Sequence, residues 1–181
     1  NKWHKVRTNE NYFWEITNQK KTNSILLIKE IADKGIRFVE TYHPQLSKIK
    51  VDKTQMHQVF LNLFLNAIQA MPGGGELRID ASPMDSNFLK GVKQNFIKVV
   101  VSDTGKGIPS HIVQKIFDPF FTTKPKGIGL GLSITYQIIK KHGGTIKVES
   151  QWEKGTRFVI NLPETLENLW NPQFLSWMTM W

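Results

Sequence analysis

One stretch of the chain restricts its fold more than any other, the run QVFLNLFLNAIQAM at residues 58–71. In a helix, successive residues turn by about 100°, so Gln58, Asn62, Asn66 and Gln69 fall in one narrow stripe. Every other position of the run is apolar, which predicts a helix buried on most of its circumference. The stripe then faces either a polar cleft or hydrogen-bonding groups of a neighbouring loop, because an unpaired buried amide costs about 1–3 kcal/mol. From this helix alone, both interpretations remain open.

The remaining periodicity predicts a mixed domain. Helical patterns are found at 24–35, 52–71, 110–116 and 130–142. Alternating or β-branched runs predict strands at 36–42, 48–52, 76–82, 96–103, 145–150 and 156–162. Asp52 and Gln55 form a variant capping box at the start of the second helix, and residues 84–95 are predicted to be a connecting loop. Because strands and helices do not alternate regularly, the expected fold class is α+β.

Composition excludes several classes of protein. The 181 residues include no cysteine, which excludes disulfides and cysteine-ligated zinc and is typical of a reducing, cytoplasmic setting. No apolar run approaches the roughly 20 residues of a membrane-spanning helix, although a membrane anchor elsewhere in a full-length protein stays compatible with this domain. The net charge of +9 allows a polyanionic partner. Direct nucleic-acid binding is not expected, since no dense basic stripe or RNA-recognition signature occurs.

A second candidate element is VVVSDTGKGI at residues 99–108. A buried strand delivers Asp103 at its end, where the carboxylate can accept a hydrogen bond from an amine. Gly105 and Gly107 then allow the backbone to pass close to a ligand. An ordinary turn after a strand is the alternative explanation.

A third candidate element is KPKGIGLGLSI at residues 124–134. Its glycines lead into a helix, whose free N–H groups and positive dipole end suit phosphate. Lys124 could neutralise phosphate charge. The spacing matches neither a dinucleotide-binding fingerprint nor a P-loop, and a flexible linker with solvated lysines is the alternative.

In this order the motifs resemble the catalytic, ATP-binding domain of two-component sensor histidine kinases, a family shared with gyrase, Hsp90 and MutL. The resemblance rests on the N box HQVFLNLFLNAIQAM, the first glycine box DTGKGI, the F box FDPFF and the second glycine box GIGLGL. It covers residues 24–163. It implies a two-layer α/β sandwich of the Bergerat type, with a mixed sheet of about five strands covered on one face by about three helices.

The resemblance also implies ATP and Mg²⁺ as cofactors. Asp103 would bind the exocyclic amine of adenine, assisted by Thr156, and Asn66 would be a ligand of Mg²⁺, which prefers hard oxygen atoms. The implied nucleotide-binding residues are Asn62, Asn66, Asp103, Gly105, Gly107, Ile108, Lys124, Gly127, Gly129, Leu130, Gly131, Leu132 and Thr156.

Two of these positions are implied to be catalytic, Asn62 and Lys124. Lys124 would contact the γ-phosphate from a short lid, TTKPK. Asn62 stands where the hydrolysing relatives have a glutamate that activates water. An amide cannot act as that base, so the resemblance implies a kinase and argues against an ATPase.

Two positions depart from the family pattern. Gln69 stands where many members have a phosphate-contacting lysine, and Ile128 stands where threonine or serine is commoner. Phe117, Phe120 and Phe121 are expected to hinge or anchor the lid, with at least one of them in the core.

The implied function is donation of the γ-phosphoryl group of ATP to a histidine on a separate dimerisation hairpin of the same kinase, followed by signalling to a response regulator. None of the five histidines has the sequence context of that phosphoacceptor, so isolated chain should show negligible autophosphorylation. The alternative is a non-catalytic nucleotide-sensing or partner-binding module of the same fold.

Residues 1–23 are expected to be a tail or the remnant of a preceding domain, 24–163 the ATP-binding domain, and 164–181 a Trp-rich tail.

Overall fold

A five-stranded mixed sheet carries the domain. The computed structural model describes residues 27, 29–46, 49, 51–89, 92–125 and 127–164. Its strands are β1 (Ile36–Tyr42), β2 (Gly75–Leu89), β3 (Val92–Asp103), β4 (Thr145–Gln151) and β5 (Gly155–Pro163). They lie in the order β1-β2-β3-β5-β4, with β1 parallel to β2 and every other pair antiparallel. The predicted mixed sheet of an α+β sandwich is confirmed.

The helices cover one face of this sheet. They are α1 (Lys53–Ala70), α2 (Ser110–Val113) and α3 (Gly131–Lys141), and residues 29–33 are also helical. Side chains alternate along the strands, so Leu77, Ile79 and Val101 point into the core shared with the helices. Among the described residues, no helix has the length and apolarity to cross a bilayer.

Helix α1 has the predicted shape. Asp52 is its N-cap and accepts a hydrogen bond from the backbone N–H of Gln55 at 3.0 Å. The side-chain amide of Gln55 donates to the other carboxylate oxygen of Asp52 at 3.1 Å. The predicted capping box is therefore present, in a variant whose second hydrogen bond goes to the side chain of the N-cap residue. The apolar side of the helix is buried through Met56, Val59, Phe60, Leu63, Phe64, Ala67 and Ile68.

Two predictions about the strands are wrong. The described residues Ile49, Val51 and Asp52 belong to no strand; Ile49 and Val51 are partly buried against the core, so their alternation reflects one-sided burial without ladder pairing. Residues 84–95 are not a connecting loop, since β2 runs to Leu89 and β3 starts at Val92. Backbone hydrogen bonds sustain that hairpin, and they need no apolar periodicity.

The other predicted elements are placed within a few residues. The short helix ends at Val113, and the hairpin of β4 and β5 is present. Residues 24–26 of the first predicted helix, the tail 1–23 and residues 165–181 of the C-terminal tail lie outside the described part of the chain.

His142 connects the end of α3 to the start of α1. Its Nδ1 lies 2.8 Å from the carbonyl oxygen of Ile138, and its Nε2 accepts the backbone N–H of Asp52 at 3.0 Å. The neutral tautomer with hydrogen on Nδ1 satisfies both contacts. The sequence-based expectation that His142 ends a helix is confirmed, because it is the C-cap of α3.

We expect His142→Ala to lower the free energy of unfolding by about 1–2 kcal/mol, because the backbone N–H of Asp52 loses its acceptor and the Ile138 carbonyl keeps only its backbone donor. Urea denaturation followed by circular dichroism measures this. His111→Ala is the matched control, since that histidine is exposed on α2. Equal stability of the two variants would contradict the connection.

Candidate functional site

One large cavity lies beside the amide stripe of α1, with a volume of about 1220 Å³. The loop after β3, the segment before α3 and the β4–β5 turn complete its walls. The predicted site residues that line it are Asn62, Asn66, Asp103, Gly107, Ile108, Lys124, Gly127, Gly129, Leu130, Gly131, Leu132 and Thr156. The polar cleft proposed for the stripe is therefore present.

Gly105 is the predicted residue that does not line the cavity. It packs against the end of α1, where an added Cβ would come within 2.7 Å of both the Cβ and the carbonyl oxygen of Ala70. The backbone N–H of Lys106 also donates to the Ala70 carbonyl at 3.1 Å. This glycine therefore allows the loop after β3 to approach α1.

Asp103 lies in the wall of the cavity. It ends β3 and pairs with Thr156 of β5 in the ladder. One carboxylate oxygen accepts the backbone N–H of Gly105 at 2.8 Å. Burial raises the pKa of Asp103, and hydrogen bonds from the backbone of Gly105 and Thr156 only partly oppose this. Among the described residues no ion pair includes this carboxylate, so it is half-buried with unused acceptor capacity.

The loop after Asp103 is fixed by the β4–β5 hairpin. Gly107 has a φ of 67°, and an added Cβ would overlap the carbonyl oxygen of Gln151. The backbone N–H of Ile108 donates to the hydroxyl of Ser150 at 2.8 Å, and the backbone N–H of Glu153 donates to the carbonyl of Lys106 at 2.7 Å. These contacts hold the loop in one conformation next to the cavity.

Lys124 and two amides of the stripe meet in another part of the cavity wall. The Lys124 ammonium donates to Asn66 Oδ1 at 2.5 Å and also to Gln69 Oε1. Partial desolvation lowers the pKa of Lys124, and the positive charge of Lys106 lowers it further. The Asn66 oxygen thus already faces a cationic group.

The contact of Lys124 with the Asn66 oxygen is relevant to the Mg²⁺ ion that the family resemblance implies. Within the described residues no cluster of three His, Asp or Glu side chains exists that would hold a metal ion. A neutral oxygen turned toward positive charge inside the cavity fits Mg²⁺ that takes most of its charge balance from phosphates. Asn66 is the residue suited to hold it.

Asn62 connects α1 to the start of α3. Its Nδ2 donates to the carbonyl of Gly131 at 2.9 Å and lies 3.3 Å from the Thr135 hydroxyl. Its Oδ1 accepts from the Gln58 side chain at 3.0 Å. Both ends of this amide therefore have protein partners, in addition to its place on the cavity wall.

The three phenylalanines differ in their surroundings. The Phe117 ring lies 5.6 Å from that of Tyr136 and 6.4 Å from that of Phe158, between centroids. Phe121 is partly buried against the core and lines the cavity, whereas Phe120 is 72% exposed. Phe117 and Phe121 thus anchor the segment before Lys124, and Phe120 does not.

Some residues of the site were not found from the sequence. Trp152 in the β4–β5 turn lines the cavity, as do Lys106 and Ile112. Ser150 contacts both the loop after Asp103 and Thr156. Ser150 lies directly opposite Thr156 in the β4–β5 hairpin. This pairing could have indicated its role, but it is recognisable only once the hairpin register is known.

Known proteins are similar to this chain in sequence and architecture. The family model described as "Histidine kinase-, DNA gyrase B-, and HSP90-like ATPase" matches residues 51–166. Sporulation kinase A of Bacillus subtilis (strain 168) is 39% identical over 141 residues, which cover 78% of this chain and 22% of that protein. The sensor histidine kinase ZraS of Escherichia coli (strain K12) is 39% identical over 142 residues, which cover 78% of this chain and 29% of that protein.

A solved structure agrees with these matches. The catalytic domain of the histidine kinase ThkA superposes with a TM-score of 0.66 at 32% identity, over 84% of this chain and 93% of that one. ThkA has also been solved in complex with the response regulator protein TrrA, where the TM-score is 0.64 at 31% identity, over 86% of this chain and 41% of that one. The chain spans less than a third of the length of the two curated relatives. It belongs to the family of histidine kinase-, DNA gyrase B- and HSP90-like ATPases, in the branch formed by the catalytic domains of histidine kinases.

Proposed function

We propose that this domain binds ATP with Mg²⁺ on the cytoplasmic side and donates the γ-phosphoryl group to a histidine on the phosphoacceptor domain of the same kinase. The observation that carries the proposal is the pair of polar groups that one cavity brings together. A half-buried carboxylate, with no ion pair among the described residues, lies in one part of its wall, and a lysine held by amide oxygens lies in another. An adenine amine and a triphosphate satisfy these two groups together.

The base is recognised at the Asp103 end. The carboxylate retains acceptor capacity beyond its bond to Gly105, and the exocyclic amine of adenine donates to it. Guanine presents a carbonyl oxygen in place of that amine, and two acceptors face to face repel each other. Ile108 and Leu132 supply apolar surface for the ring.

The phosphates are received at the Lys124 end. Asn66 would hold Mg²⁺, which would supply positive charge to stabilise the negative charge that develops on the phosphates during transfer. Lys124 leaves the amide oxygens of Asn66 and Gln69 and donates to the γ-phosphate. The N–H groups near Gly129 and Gly131, at the start of α3, approach the remaining phosphate oxygens.

Transfer to a protein histidine suits this chain better than hydrolysis. Asn62 has no basic group with which to activate water, and its amide is engaged with Gly131 and Gln58. The attacking histidine comes from the partner domain. By analogy with the ThkA–TrrA complex, a response regulator is the expected downstream partner.

A second candidate function, a nucleotide sensor without transfer, has one observation in its favour. Gln69 replaces a charged group beside the phosphates, and its oxygen holds Lys124. A lysine retained there after nucleotide binding would leave the γ-phosphate without its cation.

We expect ATP and ADP to raise the melting temperature of the chain and GTP to have little effect. Asp103→Asn should weaken ATP binding about tenfold or more, because the amide that replaces the carboxylate loses a charged hydrogen bond in a dry pocket. Calorimetric titration and thermal shift with each nucleotide measure this. Thermal shifts of equal size with ATP and GTP would refute adenine recognition by Asp103.

The stability of Asp103→Asn without nucleotide supplies a control, because the substitution is expected to weaken ATP binding without destabilising the fold. Because burial raises the pKa of Asp103, the folded chain binds this proton more tightly than the unfolded chain. The stabilisation due to this group is complete at low pH and is lost as pH rises between the ordinary and the raised pKa. At neutral pH, nucleotide-free Asp103→Asn should therefore be at least as stable as the wild type. A large loss of stability would mean that the variant weakens binding by misfolding.

We expect Asn66→Ala to remove the part of the ATP-induced thermal shift that depends on Mg²⁺, while the shift by ADP without Mg²⁺ persists. The variant removes the oxygen suited to the metal and leaves Asp103 intact. Thermal shifts with and without EDTA separate the two parts. A Mg²⁺ increment of wild-type size in this variant would exclude Asn66 as a ligand.

We expect the chain alone to incorporate negligible acid-labile label from γ-labelled ATP, and to label an added phosphoacceptor hairpin from a related sensor histidine kinase. Lys124→Met should lower the transfer rate about tenfold or more, since it removes charge stabilisation at the γ-phosphate. Lys115→Met is the matched control on an exposed lysine outside the cavity. ATP binding without transfer to any such hairpin would favour the sensor.

A further inference from the structure

We propose that Ser150 fixes the direction of the Thr156 hydroxyl, so that Thr156 faces the purine as a hydrogen-bond acceptor only. Ser150 is then a positioning residue that sharpens the choice of a 6-amino purine over a 6-oxo purine. The inference rests on the proposed function, because it concerns the same end of the cavity as Asp103.

The three residues form a row across the sheet. Asp103 of β3 pairs with Thr156 of β5, and Thr156 pairs with Ser150 of β4. Asp103 and Thr156 line the cavity, whereas Ser150 is not part of its wall. The Thr156 side chain is 6% exposed, and its Oγ1 lies 3.0 Å from Ser150 Oγ. Toward a ligand in this cavity, Ser150 therefore acts through Thr156 and the neighbouring loop.

Counting hydrogens decides which hydroxyl donates. A serine hydroxyl has one hydrogen and two acceptor sites. Ser150 gives its hydrogen to the carbonyl of Gly155 at 2.8 Å and accepts the backbone N–H of Ile108 at 2.8 Å. One acceptor site remains, so in the contact with Thr156 the threonine is the donor. The single hydrogen of Thr156 is thereby spent inside the protein, and its oxygen offers only lone pairs to the cavity.

The wall next to the base therefore presents acceptors from two strands, the Asp103 carboxylate and the Thr156 oxygen. An amine at C6 of a purine supplies hydrogens to such a wall. A carbonyl at C6 supplies none and is repelled by both oxygens. If Thr156 were free to rotate, its hydroxyl could donate to that carbonyl and part of the discrimination would be lost.

The test compares ATP with inosine triphosphate, which carries a carbonyl at C6 and a hydrogen on N1. Dissociation constants of both are measured by calorimetry on the 181-residue chain, and the result is their ratio. Ser150→Ala removes the acceptor for Thr156, so we expect the ratio in favour of ATP to fall about three- to tenfold, the size of one neutral hydrogen bond. A purely structural role of Ser150 would weaken both nucleotides equally and leave the ratio unchanged, and that result would overturn the proposal.

Further variants keep the test decisive. Ser150→Thr retains a hydroxyl and should retain the wild-type ratio. Thr145→Val removes a hydroxyl from the same hairpin outside the cavity and should also retain it. If Ser150→Ala does not fold, Thr156→Val serves in its place: ATP binding should weaken about three- to tenfold, while inosine triphosphate, relieved of one repelling oxygen, should bind as well as before or more tightly. Equal weakening of both nucleotides by Thr156→Val would overturn the proposal.

Failure of the proposed function has a different signature. In that case the wild-type chain binds neither ATP nor inosine triphosphate, whatever residue stands at position 150. Binding of ATP by the wild type with an unaltered ratio in Ser150→Ala refutes the inference about Ser150 alone.

Discussion

Packing of α1 against the sheet is the interaction on which the rest of the structure depends. Seven side chains of this helix are buried, and they fix its rotation about its own axis. Because the rotation is fixed, Asn62, Asn66 and Gln69 are presented to the cavity one turn apart. The same helix end receives Gly105 against Ala70, which sets the course of the loop after Asp103. The apolar side of one helix thus determines the position of both ends of the site.

The cavity is also where the fold retains unfavourable charges. Partial burial raises the pKa of Asp103, which has no ion pair among the described residues. Desolvation, and then the nearby charge of Lys106, lower the pKa of Lys124. A folded domain selected for stability alone would avoid both arrangements. In the proposed complex, the adenine amine at Asp103 and the phosphates at Lys124 relieve them together. The energetic cost carried by the nucleotide-free protein would then become part of the affinity and selectivity for the nucleotide.

What the sequence predicted well has local causes. The capping of α1 by Asp52, its amide stripe and the β4–β5 hairpin follow from periodicity and turn residues within a short window. The segment 48–52 and the extension of β2 to Leu89 did not follow, because one-sided burial and ladder pairing depend on distant partners. The contact of Lys124 with Asn66 spans a sequence separation of 58 residues. Such contacts require the tertiary fold.

Asn62 shows how chemistry and packing are joined in this domain. Its Nδ2 donates to the Gly131 carbonyl, and this contact holds the start of α3 against α1. A carboxylate at this position has no hydrogen for that carbonyl, and two oxygen atoms facing each other there repel. In the proposed site Asn62 therefore has two roles, because its amide supplies no base for the activation of water and also holds the junction of two helices. A carboxylate at position 62 would leave the Gly131 carbonyl with the hydroxyl of Thr135 as its side-chain donor, so a gain of hydrolysis there would come with a weaker helix junction.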